Sequence, residues 1–326
     1  MKSITKALLF SLISITPVPS HADFTEGVAA YKNNDFEKAI QIFTALADKN
    51  DSRAQFALGL MYDNGNGVTS DKKIALNWYL AGAKNGNAKA QYNLAVLYQE
   101  GDGTDADEVQ AAYWYSKTAK SGNKDAVTRL HTMAENDLPS AQFHVGNLYR
   151  TGKGLPKNSK HAFSWYKKAA EADFTQAKYN LALLYANGIG VTKNTALAKE
   201  WYEKAARSGN SKAQYNLALL LMKRSAEQGV QWLNKAADQN NLKAQITLAQ
   251  LYEKGETVTQ SQPNAMKWYL RAAKSGDKEA QNYVGYLYSK GLGVKQDREI
   301  ALSWFSKAAE QGSEEAAINK KTLSGS

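Results

Sequence analysis

Three histidines, His131, His144 and His161, are the first residues to weigh for chemistry, because imidazole serves as a general base and as a metal ligand. Their spacing matches no His-Glu-x-x-His or other ligand motif, and the carboxylates of the chain are scattered singly. Ser164 lies three residues after His161, a proximity that helical sequences often show by chance. The chain has no cysteine, which excludes thiol chemistry and disulfides. The sequence therefore predicts no catalytic residue, no metal site and no cofactor, and indicates a protein that is not an enzyme.

Glycine-rich segments of the form Gly-x-Gly-apolar recur at residues 65–68, 152–155, 188–191 and 291–294. Such a loop can cradle a phosphate when it follows a strand and opens a helix. Here no strand pattern precedes the loops, and they recur at the same place in the units of a longer repeat. We interpret them as turns between helices, with Asp71, Asn194 and Asp297 as N-caps of the helices that follow.

The seven tryptophans reveal the repeat that must position all of these residues. Four of the six intervals between them are 36 residues, and the other two are 51 and 31. A fixed period of this size predicts stacked supersecondary units, each of which buries its apolar face against its neighbours. The tryptophans are Trp78, Trp114, Trp165, Trp201, Trp232, Trp268 and Trp304.

Each unit is predicted to contain two helices. The first half reads Ala-Gln-aromatic-x-Leu-small-x-Leu-Tyr, as at residues 90–98, with apolar or small residues at offsets 0, 4, 5, 7 and 8 from the alanine. This spacing is typical of an amphipathic helix. The second half, Ala-x-x-Trp-Tyr-x-x-Ala-Ala at residues 198–206, predicts a second helix. We expect the small residue at offset 5 to allow a neighbour to approach closely, and each indole to be wedged between helix pairs.

These motifs, Ala-Gln-x-x-Leu-Gly-x-x-Tyr, then Gly-x-Gly-Val, then Ala-x-x-Trp-Tyr-x-Lys-Ala-Ala-x-x-Gly, resemble the Sel1-like repeat, a relative of the tetratricopeptide repeat. The resemblance covers residues 54 to about 317. It implies an all-α fold, a right-handed α-solenoid of antiparallel helix pairs, and a role as a scaffold or adaptor in protein complexes. Residues 24–51 resemble a plain tetratricopeptide hairpin instead.

The predicted organisation has six segments and two irregular places. Around Leu130 and Met133 a single helix is expected where a pair should stand, and it should bend the stack. The unit that starts at Ala213 lacks its glycine loop, so residues 222–229 must turn tightly or extend a helix. The segments are a signal peptide at 1–22, a tetratricopeptide-like hairpin at 23–53, repeats 1–2 at 54–123, the single-helix insertion at 124–140, repeats 3–7 at 141–315 and a C-terminal cap and tail at 316–326, in which Leu323 onward should fray.

Residues 1–22 have the pattern of an export signal. Lys2 and Lys6 precede an apolar run at residues 7–15, and Ser20-His21-Ala22 forms a small-x-small cleavage site. The run is too short for a typical membrane span, so we predict a periplasmic protein, with secretion as the alternative. Without the signal, 39 basic and 31 acidic residues remain, a net charge of +8 that favours anionic partners. Lysines spread over every unit are typical of a solvated surface, and no basic tract indicates nucleic acid.

The candidate binding surface is a strip along the first helices. In the tetratricopeptide pairing, the residues at offsets 2 and 6 of the first helix tend to face the concave side. In this sequence, basic residues also stand just before the first helix of several units. We expect offset 6 to be exposed, whereas burial of offset 2 as part of the packing consensus remains an open alternative. The candidates are Phe56, Leu60, Tyr92, Val96, Phe143, Asn147, Tyr179, Leu183, Tyr215 and Leu219, with Arg53, Lys89, Lys212 and Lys243 at the edge.

An aromatic and aliphatic strip beside basic residues suits a protein or peptide ligand that carries carboxylates. The sequence thus favours an exported adaptor that acts in cell-envelope processes through its concave face. Two alternatives stay open: a secreted factor that acts on host proteins, and a protein that binds or hydrolyses cell-wall glycan. The sequence does not indicate an oligomeric state.

Overall fold

The computed structural model describes residues 23–325, so the predicted signal peptide at 1–22 lies outside the described residues. All the regular structure in residues 23–325 is α-helical, in eighteen helices. The helices fall into two compact units that divide between Lys157 and Asn158. In both units, consecutive helices joined by short turns pack on one another, which confirms the all-α fold of stacked helix pairs.

The N-terminal unit contains eight helices. They are α1 Phe24–Lys32, α2 Phe36–Ala47, α3 Ser52–Asn64, α4 Lys72–Lys84, α5 Ala88–Glu100, α6 Glu108–Ala119, α7 Lys124–Glu135 and α8 Pro139–Thr151.

The C-terminal unit contains ten helices within the described residues. They are α9 Ser159–Glu171, α10 Thr175–Asn187, α11 Thr195–Arg207, α12 Ser211–Met222, α13 Ala226–Asp238, α14 Leu242–Lys254, α15 Gln262–Lys274, α16 Lys278–Lys290, α17 Arg298–Glu310 and α18 Glu314–Gly325.

Helix ends follow the predicted capping chemistry. Asp71 accepts hydrogen bonds from the backbone N–H groups of Lys73 and Ile74 at the start of α4, and Asn194 and Asp297 cap α11 and α17 in the same way. Gly65 ends α3 with a φ of 75°, in the left-handed region where glycine meets no steric penalty. The glycine loops are therefore turns between helices, as predicted.

In six of the seven repeats, the aromatic ring at the centre of the pair is the residue that follows the tryptophan, and in the shortened repeat Leu233 takes this place. Tyr79 and Tyr166 are fully buried, and Phe305 is only 2 % exposed. A Cβ at Gly59 would lie 2.5 Å from the ring of Tyr79, so the small residue at offset 5 makes room for this ring. The expectation of a close approach at offset 5 is confirmed, and the approaching group is the second aromatic residue of the Trp-Tyr pair.

Indoles pack between helix pairs, as Trp232 does against the core clusters on both sides of it, but most of the tryptophans are not fully enclosed. Only Trp114 and Trp268 are buried, and the other five are half-buried. Because adjacent helical residues point about 100° apart, burial of the tyrosine leaves the neighbouring indole near the edge of the core. A lysine three residues later then covers the ring, with Nζ 4.3 Å from the ring centroid in the pairs Lys204–Trp201, Lys235–Trp232 and Lys307–Trp304.

The glutamine at offset 1 links each pair to the one before it. Its Nε2–H donates to the carbonyl of an alanine in the last turn of the preceding helix, as in Gln91 to Ala83 at 3.1 Å. These carbonyls accept no regular helical bond, and the glutamine adds a second donor to the one from the following turn, which for Ala83 is the backbone N–H of Gly86 at 3.2 Å. The repeat at α10 departs from the pattern, because the buried Lys178 stands there and pairs with Asp173.

The single helix α7 changes the packing of the N-terminal unit. Its Leu130 and Met133 are buried, as the sequence predicted, and α8 packs against both α6 and α7. Three neighbours, α5, α7 and α8, therefore surround α6, whose Trp114 is only 7 % exposed. The bend that a lone helix should cause remains a prediction.

The remaining irregular places resolve in different ways. The shortened repeat turns tightly at residues 223–225, between α12 and α13. The expectation of a frayed end from Leu323 is wrong, because α18 continues to Gly325 and Leu323 packs against the last core cluster. Its carbonyl also accepts a hydrogen bond from Arg298 at 2.6 Å, which holds this turn of the helix in place. Ser326 lies outside the described residues.

None of the helices within residues 23–325 combines the length and the apolar character that a bilayer crossing requires.

Candidate functional site

The predicted strip is divided between the two units, and its residues are less exposed than the sequence suggested. In the N-terminal unit all six strip residues, which come from α3, α5 and α8, are half-buried. In the C-terminal unit Tyr179, Leu183 and Tyr215 are half-buried, and only Leu219 is exposed, at 39 %. Among the five candidates at offset 6, the expected exposure is therefore correct at Leu219 alone. The half-buried residues of the N-terminal unit are Phe56, Leu60, Tyr92, Val96, Phe143 and Asn147.

Part of the strip forms an open groove of about 550 Å³ in the N-terminal unit. Four candidate residues, which come from α3 and α5, line it together with the turn between α6 and α7. Val96, Phe143 and Asn147 do not line this groove. The lining residues are Phe56, Leu60, Ala88, Lys89, Tyr92, Asn93, Thr118, Ser121, Gly122 and Asn123.

The helical period explains why α3 and α5 contribute these residues. Phe56 and Leu60 are four positions apart on α3 and therefore share one face, and Lys89 and Tyr92 are neighbours at a spacing of three on α5. The N-cap Asn87 joins the two first helices, since its Nδ2–H donates to the carbonyl of Ser52 at 3.1 Å. This hydrogen bond between Asn87 and Ser52 holds α5 against α3 and so aligns the apolar side chains in the groove.

Buried tyrosines support the groove from below. The ring of Tyr79 lies 5.9 Å from that of Phe56, and the ring of Tyr115 lies 5.7 Å from that of Tyr92. Tyr79 donates its hydroxyl to Asp63 at 2.9 Å, and Tyr115 donates to Gln99 at 2.8 Å. Burial raises the pKa of Tyr115 to about 12, so this hydroxyl stays a protonated donor at neutral pH. The groove therefore rests on a fixed aromatic layer.

Arg129 of α7 is the main supporting residue that the sequence did not reveal. Its Nε–H donates to the hydroxyl of Tyr92 at 3.1 Å, and one terminal N–H donates to Gln99 at 3.2 Å. The guanidinium also lies over the rings of Tyr92 and Tyr115, at 6.0 and 5.9 Å from their centroids. The inserted helix thus fixes the orientation of a groove residue. The break in the repeat period was the available signal, although it identifies no particular residue.

Polar residues close one end of the groove. Thr118 stands where the equivalent positions carry Ala169, Ala205 and Ala236. Its Oγ1 donates to the carbonyl of Trp114 at 3.1 Å, and Asn123 caps α7. Substitution of threonine for the usual alanine is a signal that sequence reasoning could have used.

The four basic edge residues differ in their surroundings. Arg53 forms an ion pair with Asp51 at 2.6 Å and lies 4.7 Å from the ring centroid of Phe24. Its hydrogen bond lowers the pKa of the Asp51 carboxyl, so much of the charge of Arg53 is already matched. Lys89 is exposed at the rim of the groove and forms no ion pair within residues 23–325. Lys212 and Lys243 are exposed in the C-terminal unit.

The histidines do not form a site. His131, His144 and His161 lie on three successive helices, and nowhere in residues 23–325 do three His, Asp or Glu side chains come close enough to hold a metal ion. The expectation that His144 lies at the surface is wrong. Its half-buried ring packs 5.4 Å from Phe143 and 6.1 Å from Tyr113, because the contact between α8 and α6 covers it.

We expect His144 to make stability fall in mild acid. Burial, together with the charges of Lys120 and Lys117, lowers the pKa of its imidazole to about 4 from 6.5. Above pH 6.5 the group is neutral in both states. Between pH 6.5 and 4 the unfolded chain binds the proton first, so the free energy of unfolding should decrease by about 1–3 kcal/mol. Urea titrations over this pH range measure the change.

The matched variants are His144→Gln, which should remove this part of the pH dependence, and His161→Gln, which should keep it. An unchanged slope in His144→Gln would show that other groups cause the loss of stability.

The repeats match the family model described as "Sel1 repeat" seven times, at residues 52–87, 88–123, 139–174, 175–210, 211–241, 242–277 and 278–313. Each match begins two residues before the alanine at offset 0. Among curated proteins, none is significantly similar in sequence to this chain.

The chain is also similar to several solved structures. The crystal structure of a Sel1 repeat protein from Oxalobacter formigenes is 28 % identical, with a TM-score of 0.57, over 93 % of this chain and 88 % of that one. The protective antigen c5321 of uropathogenic Escherichia coli is 27 % identical over 92 % of this chain and 79 % of its own, with a TM-score of 0.45. The immunity protein Pa5087 of Pseudomonas aeruginosa is 22 % identical over 71 % and 83 %, with a TM-score of 0.40.

Seven matches to one repeat model, on a fold that a solved Sel1 repeat protein shares over most of both chains, show that this protein belongs to the Sel1 repeat family.

Proposed function

We propose that the protein is a non-enzymatic adaptor that holds a segment of a partner protein in the groove of its N-terminal unit. Family membership supports the general role, because Sel1 repeats mediate protein–protein interaction. The observation that carries the specific proposal is the groove itself, where Phe56, Leu60 and Tyr92 present apolar surface beside the exposed Lys89. Grooves of this kind on helical repeats accommodate extended or helical peptides.

The chemistry of the groove indicates the chemistry of the ligand. Half-buried apolar side chains favour an aliphatic or aromatic anchor residue, because contact would remove their remaining exposed surface from water. Lys89 at the rim favours a carboxylate on the same segment, and the polar groups of Ser121 and Asn123 can hydrogen-bond a peptide backbone. We therefore infer a short apolar segment with at least one acidic residue.

Leu60→Glu should abolish capture of the partner from an extract of the source cells. A carboxylate would enter the apolar part of the groove and repel the acidic ligand, so we expect at least a tenfold loss of bound partner. Quantitative mass spectrometry of affinity-purified material measures this loss. Asn77→Glu, on the exposed face of α4, introduces the same charge outside the groove and should leave capture unchanged. Equal partner sets for the wild type and Leu60→Glu would contradict a role for the groove.

Export to the periplasm is part of the same proposal, and it rests on the signal pattern of residues 1–22. The envelope is then the expected place of action. Fractionation of the source cells tests this location, because recovery of the full-length chain in the cytoplasm would contradict it. Recovery from the culture medium would instead favour the secreted factor.

A further inference from the structure

A second surface, separate from the groove, lies on the exposed face of α6. Val109 and Tyr113 are 52 % and 38 % exposed there, although both are large and apolar. The position before each tryptophan is polar in the other six repeats, which carry Asn77, Ser164, Glu200, Gln231, Lys267 and Ser303. Val109 is likewise the only large aliphatic residue at its position in the seven repeats. This helix therefore departs from the repeat pattern at two adjacent surface positions.

The same face of α6 continues into uncompensated positive charge. Residues 109, 113, 117 and 120 follow one another at spacings of three and four, so they share one side of the helix. Lys117 and Lys120 are exposed, and the Nζ of Lys117 lies 5.2 Å from the ring centroid of Tyr113. Thr118, which lines the groove, is buried and does not belong to this face. An apolar patch thus borders directly on a basic one.

The inserted helix adds further cations to this surface. In the regular repeats the second glycine of the loop lies against the first residue of the preceding second helix, as Gly103 does against Lys72 and Gly190 against Ser159. Because of the extra helix α7, Gly154 instead lies against the carbonyl of Ala119, at the last residue of α6. Lys153 is therefore brought to the end of α6 that carries Lys120.

The crowding of like charges shows in the electrostatics of Lys120. Partial burial lowers the pKa of its ammonium group, and the charges of Lys117, Lys153 and Arg150 lower it further. The structure pairs none of Lys117, Lys120 and Lys153 with a carboxylate within residues 23–325. The neighbouring His144 is neutral at neutral pH, so it adds no charge of either sign. Repulsion among these groups would fall if an anionic ligand bound between them.

We propose that Val109 and Tyr113, with Lys117, Lys120 and Lys153, form a second docking surface for an acidic protein segment that carries an exposed apolar side chain. Charge complementarity selects the acidic residues, and the aliphatic and aromatic pair selects the apolar anchor. Pure polyanions satisfy only the first requirement. This surface is independent of the groove, so the protein can hold two segments at once, which is what an adaptor needs.

Fluorescence anisotropy with a labelled synthetic peptide, in which glutamates flank a Leu-Phe pair, tests the proposal at low ionic strength. The variant Lys117→Glu/Lys120→Glu/Lys153→Glu should bind this peptide at least tenfold more weakly than the wild type. The matched control Lys49→Glu/Lys73→Glu/Lys84→Glu has the same net charge, with all changes at exposed sites outside α6 and outside the loop that carries Lys153, and should bind within about twofold of the wild type.

The apolar half of the surface has its own variant. Tyr113→Ser installs the residue that the equivalent positions 164 and 303 carry, so the helix should fold normally, which circular dichroism checks. We expect Tyr113→Ser to bind the Leu-Phe peptide about fivefold more weakly than the wild type does. A control peptide with serines in place of Leu-Phe should bind the wild type with no higher affinity than it binds Tyr113→Ser. The groove variant Leu60→Glu should bind the peptide as the wild type does.

Several results would overturn the proposal. They are no measurable binding by the wild type, equal binding of the peptide without its Leu-Phe pair, an equal loss in both triple-charge variants, or a loss in Leu60→Glu alone. The last result would assign the peptide to the groove and leave the proposed function standing.

Discussion

Tyr79→Ala should lower the free energy of unfolding of the N-terminal unit by about 3–5 kcal/mol, whereas Trp78→Ala should lower it by only about 1–2 kcal/mol. Tyr79 is fully buried and fills the space beside Gly59, while the neighbouring indole is half-buried at the edge of the core. Loss of the ring leaves a cavity that the packed helices cannot close. Urea denaturation followed by circular dichroism measures both changes.

Tyr79→Phe separates the contribution of the ring to stability from the contribution of its hydroxyl. The hydroxyl donates to Asp63, and removal of one such bond should cost about 1 kcal/mol. An equal or larger loss for Trp78→Ala than for Tyr79→Ala would contradict the assignment of the central ring.

Gly103→Ala should destabilise the N-terminal unit by about 2–4 kcal/mol, the second largest effect that we expect from a single substitution. The residue has a φ of 75°, and an added Cβ would lie 2.5 Å from the carbonyl carbon and oxygen of Lys72. Both are backbone atoms at the start of α4, so neither can move without shifting the helix. Strain at the turn therefore adds to a clash between successive pairs.

Gly86→Ala measures the cost of the left-handed backbone conformation without a clash of the added Cβ. Gly86 has a φ of 87°, but no atom lies within 4 Å of its added Cβ. Its substitution should cost about 1 kcal/mol, from the left-handed conformation alone. Similar losses at both glycines would show that the loop around Gly103 does not dock against the preceding pair. Thermal and urea denaturation of the two variants provide the comparison.

The periodic features of the fold could be read from the sequence because they depend on local chemistry. Residues such as Asp71 and Gly65 act on their own turn of backbone, so their roles follow from position alone. The fifteen extra residues between Trp114 and Trp165 likewise required one helix, since the apolar spacing around Leu130 fits a single buried face.

The choice between Trp78 and Tyr79 as the buried ring could not be predicted in the same way. Both residues are large and apolar, and only the direction of the neighbouring helix decides which one points inward. The glycine or alanine at offset 5 was the available clue, because Gly59 leaves space for a ring. Leu323 was misjudged for a related reason, since its packing depends on the last core cluster and not on its own sequence neighbours.

The residues of the candidate site likewise divide into those that the repeat pattern predicts and those that depend on contacts with other helices. Phe56, Leu60 and Tyr92 followed from their offsets within the repeat, and the structure brings them together in one groove. Arg129 and Ser121 could not be assigned, because they reach the groove through the inserted helix and its turn. An insertion changes which helices contact one another, and the repeat pattern does not predict the new contacts.

Photo-crosslinking in living cells tests the central claim, that the groove of the N-terminal unit holds a partner protein, most directly. A photoreactive amino acid at position 60 or 92 places the probe within the groove, and the same amino acid at position 77 places it on the exposed face of α4. We predict that mass spectrometry identifies one shared protein at positions 60 and 92 and not at position 77. Absence of adducts at both groove positions, or the same adducts at all three positions, would contradict the account.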